Sequence, residues 1–184
     1  MNGEGEMSNP HGIIVFGANG SGKTTWGREL ARILGYKHMD HEEYCFKESE
    51  IPYTNARSDE ESLRLMLADI KKHGAFVLSS CTGDFGAGIP QFYEFAIYLS
   101  APLGLRMDRI NRREYDKFGD RVREGGDMYA HQLKFHAFVA ARSLSKIEQW
   151  AETLTCPVIR VDGTKDYRQT AAQIAAQFYG VPTA

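Results

Sequence analysis

Residues Gly17 to Thr24 read Gly-Ala-Asn-Gly-Ser-Gly-Lys-Thr, which fits the G-x-x-x-x-G-K-[ST] phosphate-loop pattern at every position. No other stretch constrains the fold as much. Such a loop works only between a strand that delivers it and a helix whose amino end faces the anion. Both flanks are legible. Ile13-Ile14-Val15-Phe16 is an uninterrupted apolar run, as expected of a strand buried on both faces of a parallel sheet. Beyond the loop, Trp26, Leu30, Ile33 and Leu34 recur at helical spacing and Gly35 supplies a stop.

The residue types follow from the chemistry of a polyphosphate, which needs donors from several directions. Glycine lets a backbone wrap closely enough to aim its amides inward, and Gly17, Gly20 and Gly22 are placed to do so. Lys23 would set a point charge on the outer phosphates, the Thr24 hydroxyl would bind Mg2+, and the helix amino end would add to the field. The expected ATP-binding set is therefore Gly17, Asn19, Gly20, Ser21, Gly22, Lys23, Thr24 and Thr25.

A chain of 184 residues with 42% hydrophobic side chains suits one well-buried domain. With 22 basic and 24 acidic side chains, its net charge of -2 gives no global attraction to nucleic acid or an anionic membrane. Anion binding must be local. Cys45, Cys81 and Cys156 are an odd number without C-x-x-C spacing, so neither a disulfide framework nor a zinc site is indicated and a reducing cytoplasm is expected. No apolar stretch approaches the roughly 20 residues of a membrane helix, and no charged-then-apolar leader opens the chain.

Taken in order, residues 1–11 are polar and glycine-rich and are expected to form a mobile arm, with a single domain over 12–184. Tyr36 to Met39 makes a short second strand that delivers Asp40, His41, Glu42 and Glu43 to its carboxyl end, the ligand edge of open parallel sheets. Residues 44–58 form an irregular excursion containing Arg57. Ser58 with Glu61 is a capping-box signal for a helix whose buried face is Leu63, Met66, Leu67 and Ile70, ended by Gly74. Ala75 to Ser80 is a third strand feeding a glycine-rich loop with Asp84, and Phe95 to Leu99 is a fourth. A helix started by Pro102 should bury Leu103, Met107 and Ile110, with Arg106, Arg109, Arg112 and Arg113 on other faces. One long helix is expected from about Met128 to Trp150, with Leu133, Ala137, Ala140, Leu144 and Ile147 in register. Val158 to Val161 is the fifth strand, followed by an Asp162-Gly163-Thr164 turn and a helix bearing Tyr167, Ala171, Ile174 and Phe178. Strands alternating with helices predict a three-layer α/β/α sandwich around a five-stranded parallel sheet, with right-handed crossovers.

With its phosphate loop, acidic residues after the second strand and arginine-rich segment after the fourth, the chain resembles the small phosphate-loop kinases, the adenylate, shikimate and gluconate kinase-like group. The resemblance spans about Gly12 to Tyr179 and implies a P-loop NTPase fold, nucleoside-kinase-like, with a lid. Asp40-His41-Glu42 resembles the Asp-x-Asp of shikimate kinases, where one carboxylate helps hold Mg2+ and the other meets the substrate hydroxyl. The glycine triplet of shikimate kinases is replaced by Ser79-Ser80-Cys81-Thr82-Gly83, and the Asp-Gly-Phe-Pro-Arg of adenylate kinases is missing too. The resemblance therefore implies ATP, Mg2+ and a small phosphoryl acceptor, without saying which nucleoside, nucleotide, sugar or hydroxy acid that acceptor is.

By the same resemblance residues 119–128 are a lid, from which Arg121 would reach the transferring phosphoryl as a two-pronged donor. The expected catalytic residues are Lys23, Asp40 and Arg121, with Thr24 and Asp40 on the metal. Arg113, Gly163 and Thr164 are expected on the nucleotide, and Glu42, Arg57 and Asp84 on the acceptor. The expected assembly is a monomer or homodimer without nucleic-acid or membrane partners. A GTPase would need Asn-Lys-x-Asp near the fifth strand, where only Thr164-Lys165-Asp166 stands, and the Asp116-Lys117-Phe118-Gly119 match to D-x-x-G lies at a helix end. A mechanical ATPase would need a Walker B Asp-Glu pair and a further helical subdomain after the fifth strand. The serious alternative is a nucleotide-binding regulator or an ATPase without acceptor transfer.

Overall fold

The computed structural model describes residues 9–86 and 88–181. Its centre is strand β1 (His11–Phe16), hydrogen-bonded in parallel to β3 (Ala75–Ser80) on one side and β4 (Tyr93–Ser100) on the other. Strands β2 (Lys37–Asp40) and β5 (Val158–Asp162) complete a parallel sheet in the order β2-β3-β1-β4-β5. Because all five strands run the same way, the ends of β1, β2, β3 and β5 share one edge. Side chains alternate across a strand, so β1 feeds two cores. Ile14 and Phe16 pack with Met66, Ile70, Ile147 and Ala151 on one face, while Ile13 and Val15 pack with Trp26, Leu30, Ala171 and Ile174 on the other. All four β1 side chains are fully buried, each worth roughly 1.5–3 kcal/mol against exposure.

The covering helices are α1 (Lys23–Leu34), α2 (His41–Cys45), α3 (Asp59–His73), α4 (Leu103–Phe118), α5 (Tyr129–Ala141), α6 (Ser145–Glu152) and α7 (Tyr167–Tyr179). Ser58 caps α3 through the Glu61 amide at 3.1 Å, as the capping-box signal requires.

The structure departs from the periodicity reading in four places. Residues 1–8 of the expected arm lie outside the described residues, and His11 begins β1 with its Nδ1 3.1 Å from Glu94 Oε1. The excursion opens with the tail of α2 and then folds back on itself, pairing Phe46 with Ala56 antiparallel and placing the Phe46 and Tyr53 rings edge to face at 5.6 Å. The long helix is two helices. Arg142 turns extended, and Ser143 Oγ accepts the Ser145 amide at 3.1 Å to start α6 anew. Finally, α4 buries Arg106, Ile110 and Glu114, while Leu103 is exposed, as are Leu133 and Leu144 on the following helical segment.

Candidate functional site

The loop after β1 has the backbone its glycines permit. Gly17 and Gly20 lie at φ 147° and 78°, and a Cβ at Gly20 would stand 2.5 Å from the Arg106 carbonyl, so only glycine fits there. Lys23 Nζ donates to the Ala18 carbonyl at 3.0 Å, which curls the side chain back over the loop. Thr24 Oγ1 donates to Asp40 Oδ2 at 2.8 Å, and Asp40 Oδ1 accepts the Glu42 amide at 3.2 Å as the N-cap of α2. Parallel β1 and β2 thus bring the loop threonine and the strand-end carboxylate into contact.

At the end of β3, Ser79 Oγ donates to the Lys23 carbonyl at 3.1 Å. That uses its one hydrogen, so His38 Nε2, 3.0 Å away, must be the donor to the serine oxygen. Burial lowers the His38 pKa to about 4 and keeps the ring neutral. A serine–histidine brace thus stands at the end of β3, where a Walker B carboxylate would otherwise be expected.

A cavity of about 1420 Å³ opens over this edge. The loop from Asn19 to Thr25, together with Asp40, Glu42, Arg57, Arg113 and Gly163, lines it; Gly17, Asp84, Arg121 and Thr164 do not. Burial, then the neighbouring Asp40 charge, raises the Glu42 pKa against the opposing pull of Arg113 and Lys23. Arg113 donates from Nε and Nη2 to Glu114 Oε1 at 2.9 and 2.6 Å, and Glu114 is itself buried.

Several expected site residues lie outside the cavity or are held by other partners. Arg57 lines the cavity, and its Nη1 donates to the carbonyls of Phe46, Tyr44 and Glu43 at 2.6, 3.0 and 3.1 Å, so it staples the excursion. Asp84 is exposed and away from the cavity. The Thr164 amide closes a turn on Asp162 Oδ1 at 2.9 Å. Arg121 pairs with Asp127 at 2.7 Å and donates to the Glu50 carbonyl at 3.1 Å, tying residues 119–128 to the excursion instead of aiming into the cavity. Arg123 lies over the Tyr115 ring at 4.1 Å and pairs with Asp120.

The arginines that do serve the loop are Arg106 and Arg109 of α4 and Arg142 beyond α5. Arg106 Nη1 donates to the Asn19 carbonyl at 3.2 Å; Arg109 donates to the carbonyls of Ser21 at 2.9 Å and Gly163 at 2.8 Å. Arg142 donates to Asn19 Oδ1 at 3.0 Å. Positions 106, 109 and 113 share one helical face, and that spacing is the signal that could have found the first two. Arg142 has no comparable signal, because it reaches the loop only through the break between α5 and α6.

A second cavity of about 300 Å³ adjoins the first, sharing Asn19, Glu42, Phe46, Pro52, Tyr53 and Arg113 with it and closed by Met128, Gln132 and Phe135. The site therefore has two compartments that meet at Asn19 and Glu42.

A family profile described as an AAA domain, AAA_18, matches residues 13–132. The uncharacterized protein YqaC of Bacillus subtilis is 26% identical over 158 residues, covering 82% of this chain and 87% of YqaC. A shikimate kinase of Clostridium botulinum is 32% identical over 120 residues, covering 56% of this chain and 67% of its own. Among solved structures, shikimate kinase from Acinetobacter baumannii in complex with shikimate superposes with a TM-score of 0.55 at 17% identity, covering 95% of each chain. That likeness confirms the P-loop α/β fold expected from the sequence.

Proposed function

We propose, from the premise that the chain belongs to the AAA_18 family of AAA domains and that its relatives include small-molecule kinases, that it moves the γ-phosphoryl group of ATP to a hydroxyl of a small acceptor. The observation that carries the reading is the Lys23–Thr24–Asp40 constellation at the mouth of a two-compartment cavity. The larger compartment takes the triphosphate on the loop. The smaller one takes the acceptor.

In the transfer, the bond from the γ-phosphorus to the bridging oxygen of ADP breaks as a bond to the acceptor oxygen forms, and the hydroxyl proton leaves to a carboxylate. Glu42 lines both compartments, so its carboxylate is placed to take that proton. Lys23 meets the charge that spreads over the phosphoryl oxygens. The residues fit Mg2+: it binds through one or two carboxylates plus substrate phosphates, and Thr24 Oγ1 and Asp40 Oδ2 are already side by side. When bound it would neutralise phosphate charge.

Among the described residues Arg113 is the arginine that lines both compartments. Arg121 could serve only after leaving Asp127, which makes the lid role of residues 119–128 a matter of closure. Cys45, Cys81 and Cys156 are free thiols, which supports placement in a reducing cytoplasm. Among the described residues no helix is long and apolar enough to cross a membrane. Steady ADP formation that depends on an added acceptor is the test. ADP formation indifferent to every acceptor would leave only an ATPase, and none at all would leave a nucleotide-binding regulator.

A further inference from the structure

We propose that the acceptor compartment selects an uncharged, flat-ringed hydroxyl compound of the nucleoside class, and rejects the corresponding monophosphates and small hydroxy acids. The inference rests on the kinase reading only in calling this compartment the acceptor's. Its support is the lining. Phe46, Tyr53 and Phe135 give aromatic surface on which a planar ring can stack or meet an edge. The cavity of about 300 Å³ is at the small end of the range for ligand pockets.

The charges decide between a neutral and an anionic guest. Among the described lining residues Arg113 is the only Arg or Lys, while two carboxylates, Glu42 and Glu114, and the His131 ring line the same space. Two Arg113 nitrogens are already given to Glu114 Oε1. An acid or phosphate entering here would meet two carboxylates and a guanidinium whose charge is already balanced by a buried partner. Two other cations, Arg57 and Lys117, line only the adjoining larger cavity. Arg57 is turned onto three backbone carbonyls, and Lys117 Nζ donates to the Tyr53 hydroxyl at 3.2 Å. An uncharged ring compound pays none of this repulsion, and its hydroxyl can still reach Glu42, where the two compartments meet. Specificity of this kind comes from what the site repels as much as from what it attracts.

The test is calorimetric titration of the protein loaded with Mg2+ and a non-hydrolysable ATP analogue. The probes are cytidine, uridine, thymidine, adenosine and guanosine, their 5′-monophosphates, shikimate and gluconate. At least one nucleoside should bind at least about tenfold more tightly than its own monophosphate and than both acids. Glu114→Gln, which keeps an acceptor for Arg113 but removes the charge that balances it, should narrow the gap to the monophosphate by about tenfold. A monophosphate or acid that binds as well as the nucleosides overturns the inference, and so does failure of every nucleoside to bind. Should the buried substitution prevent folding, the wild-type panel decides alone. Nucleoside binding without ADP formation from Mg·ATP would keep this inference and sink the kinase reading; phosphoryl transfer to shikimate or a monophosphate would do the reverse.

Discussion

Asp40→Asn changes one oxygen of a side chain that accepts two hydrogen bonds, from Thr24 Oγ1 at 2.8 Å and from the Glu42 amide at 3.2 Å. The second is a helix cap, and asparagine caps about as well as aspartate. The first changes from a charged to a neutral acceptor, from about 1.5–3 kcal/mol to about 1. The expected loss of stability is therefore about 1 kcal/mol, or about 2–4 °C in melting temperature for a chain of this size. Catalysis should suffer far more. If the carboxylate holds the cation against the phosphates, transfer should fall by about 10^2-fold or more, while Lys23 and the loop amides keep nucleotide affinity close to wild type. The assay pairs scanning calorimetry and titration of a non-hydrolysable ATP analogue with the rate of acceptor-dependent ADP formation. A variant that melts like wild type and transfers at the wild-type rate would reduce Asp40 to the cap of α2.

Arg57→Ala should destabilise by about 1.5–3 kcal/mol, because one guanidinium holds three carbonyls of the excursion; an unchanged melting temperature with a raised acceptor KM would return Arg57 to the acceptor. His38 has a folded pKa of about 4 against about 6.5 unfolded, so below pH 6.5 the unfolded chain binds more protons. Stability should therefore be full above pH 6.5 and decline as the pH falls toward 4, and His38→Gln should flatten that part of a melting-temperature profile; a profile unchanged by the substitution would contradict the assignment. Residues 119–128, tied to the excursion through Arg121 and Glu50, should gain hydrogen-exchange protection when Mg2+ and a non-hydrolysable ATP analogue bind. Equal exchange with and without nucleotide would end the lid assignment.

The loop, its flanking strand and helix, and the strand-end Asp40 are all legible in the sequence, because each follows from local spacing around one motif. Periodicity misreads α4 because apolar spacing assumes that the inward face meets a core. This helix instead turns Arg106 and Arg109 toward backbone carbonyls of the phosphate loop and buries Glu114 under Arg113. Leu133 and Leu144 fit a single continuous helix on paper, yet the chain breaks at Arg142, whose bond to Asn19 is a tertiary contact 123 residues apart. Arg57 and Arg121 illustrate the converse. An arginine in a loop near a site is as readily consumed by that loop's own carbonyls and carboxylates as offered to a ligand, and which occurs depends on a backbone path that spacing does not encode.

The central claim is phosphoryl transfer at the Gly17–Thr24 loop, and γ-phosphate-labelled ATP tests it most directly, with wild type and Lys23→Ala compared over the acceptor panel in the presence of Mg2+. Labelled acceptor should form with the wild-type protein and fall by about 10^2-fold or more in the variant, as expected when a group that meets developing charge is removed. Label passing to an acceptor at similar rates in both proteins, or label released only as inorganic phosphate whatever acceptor is added, would contradict it.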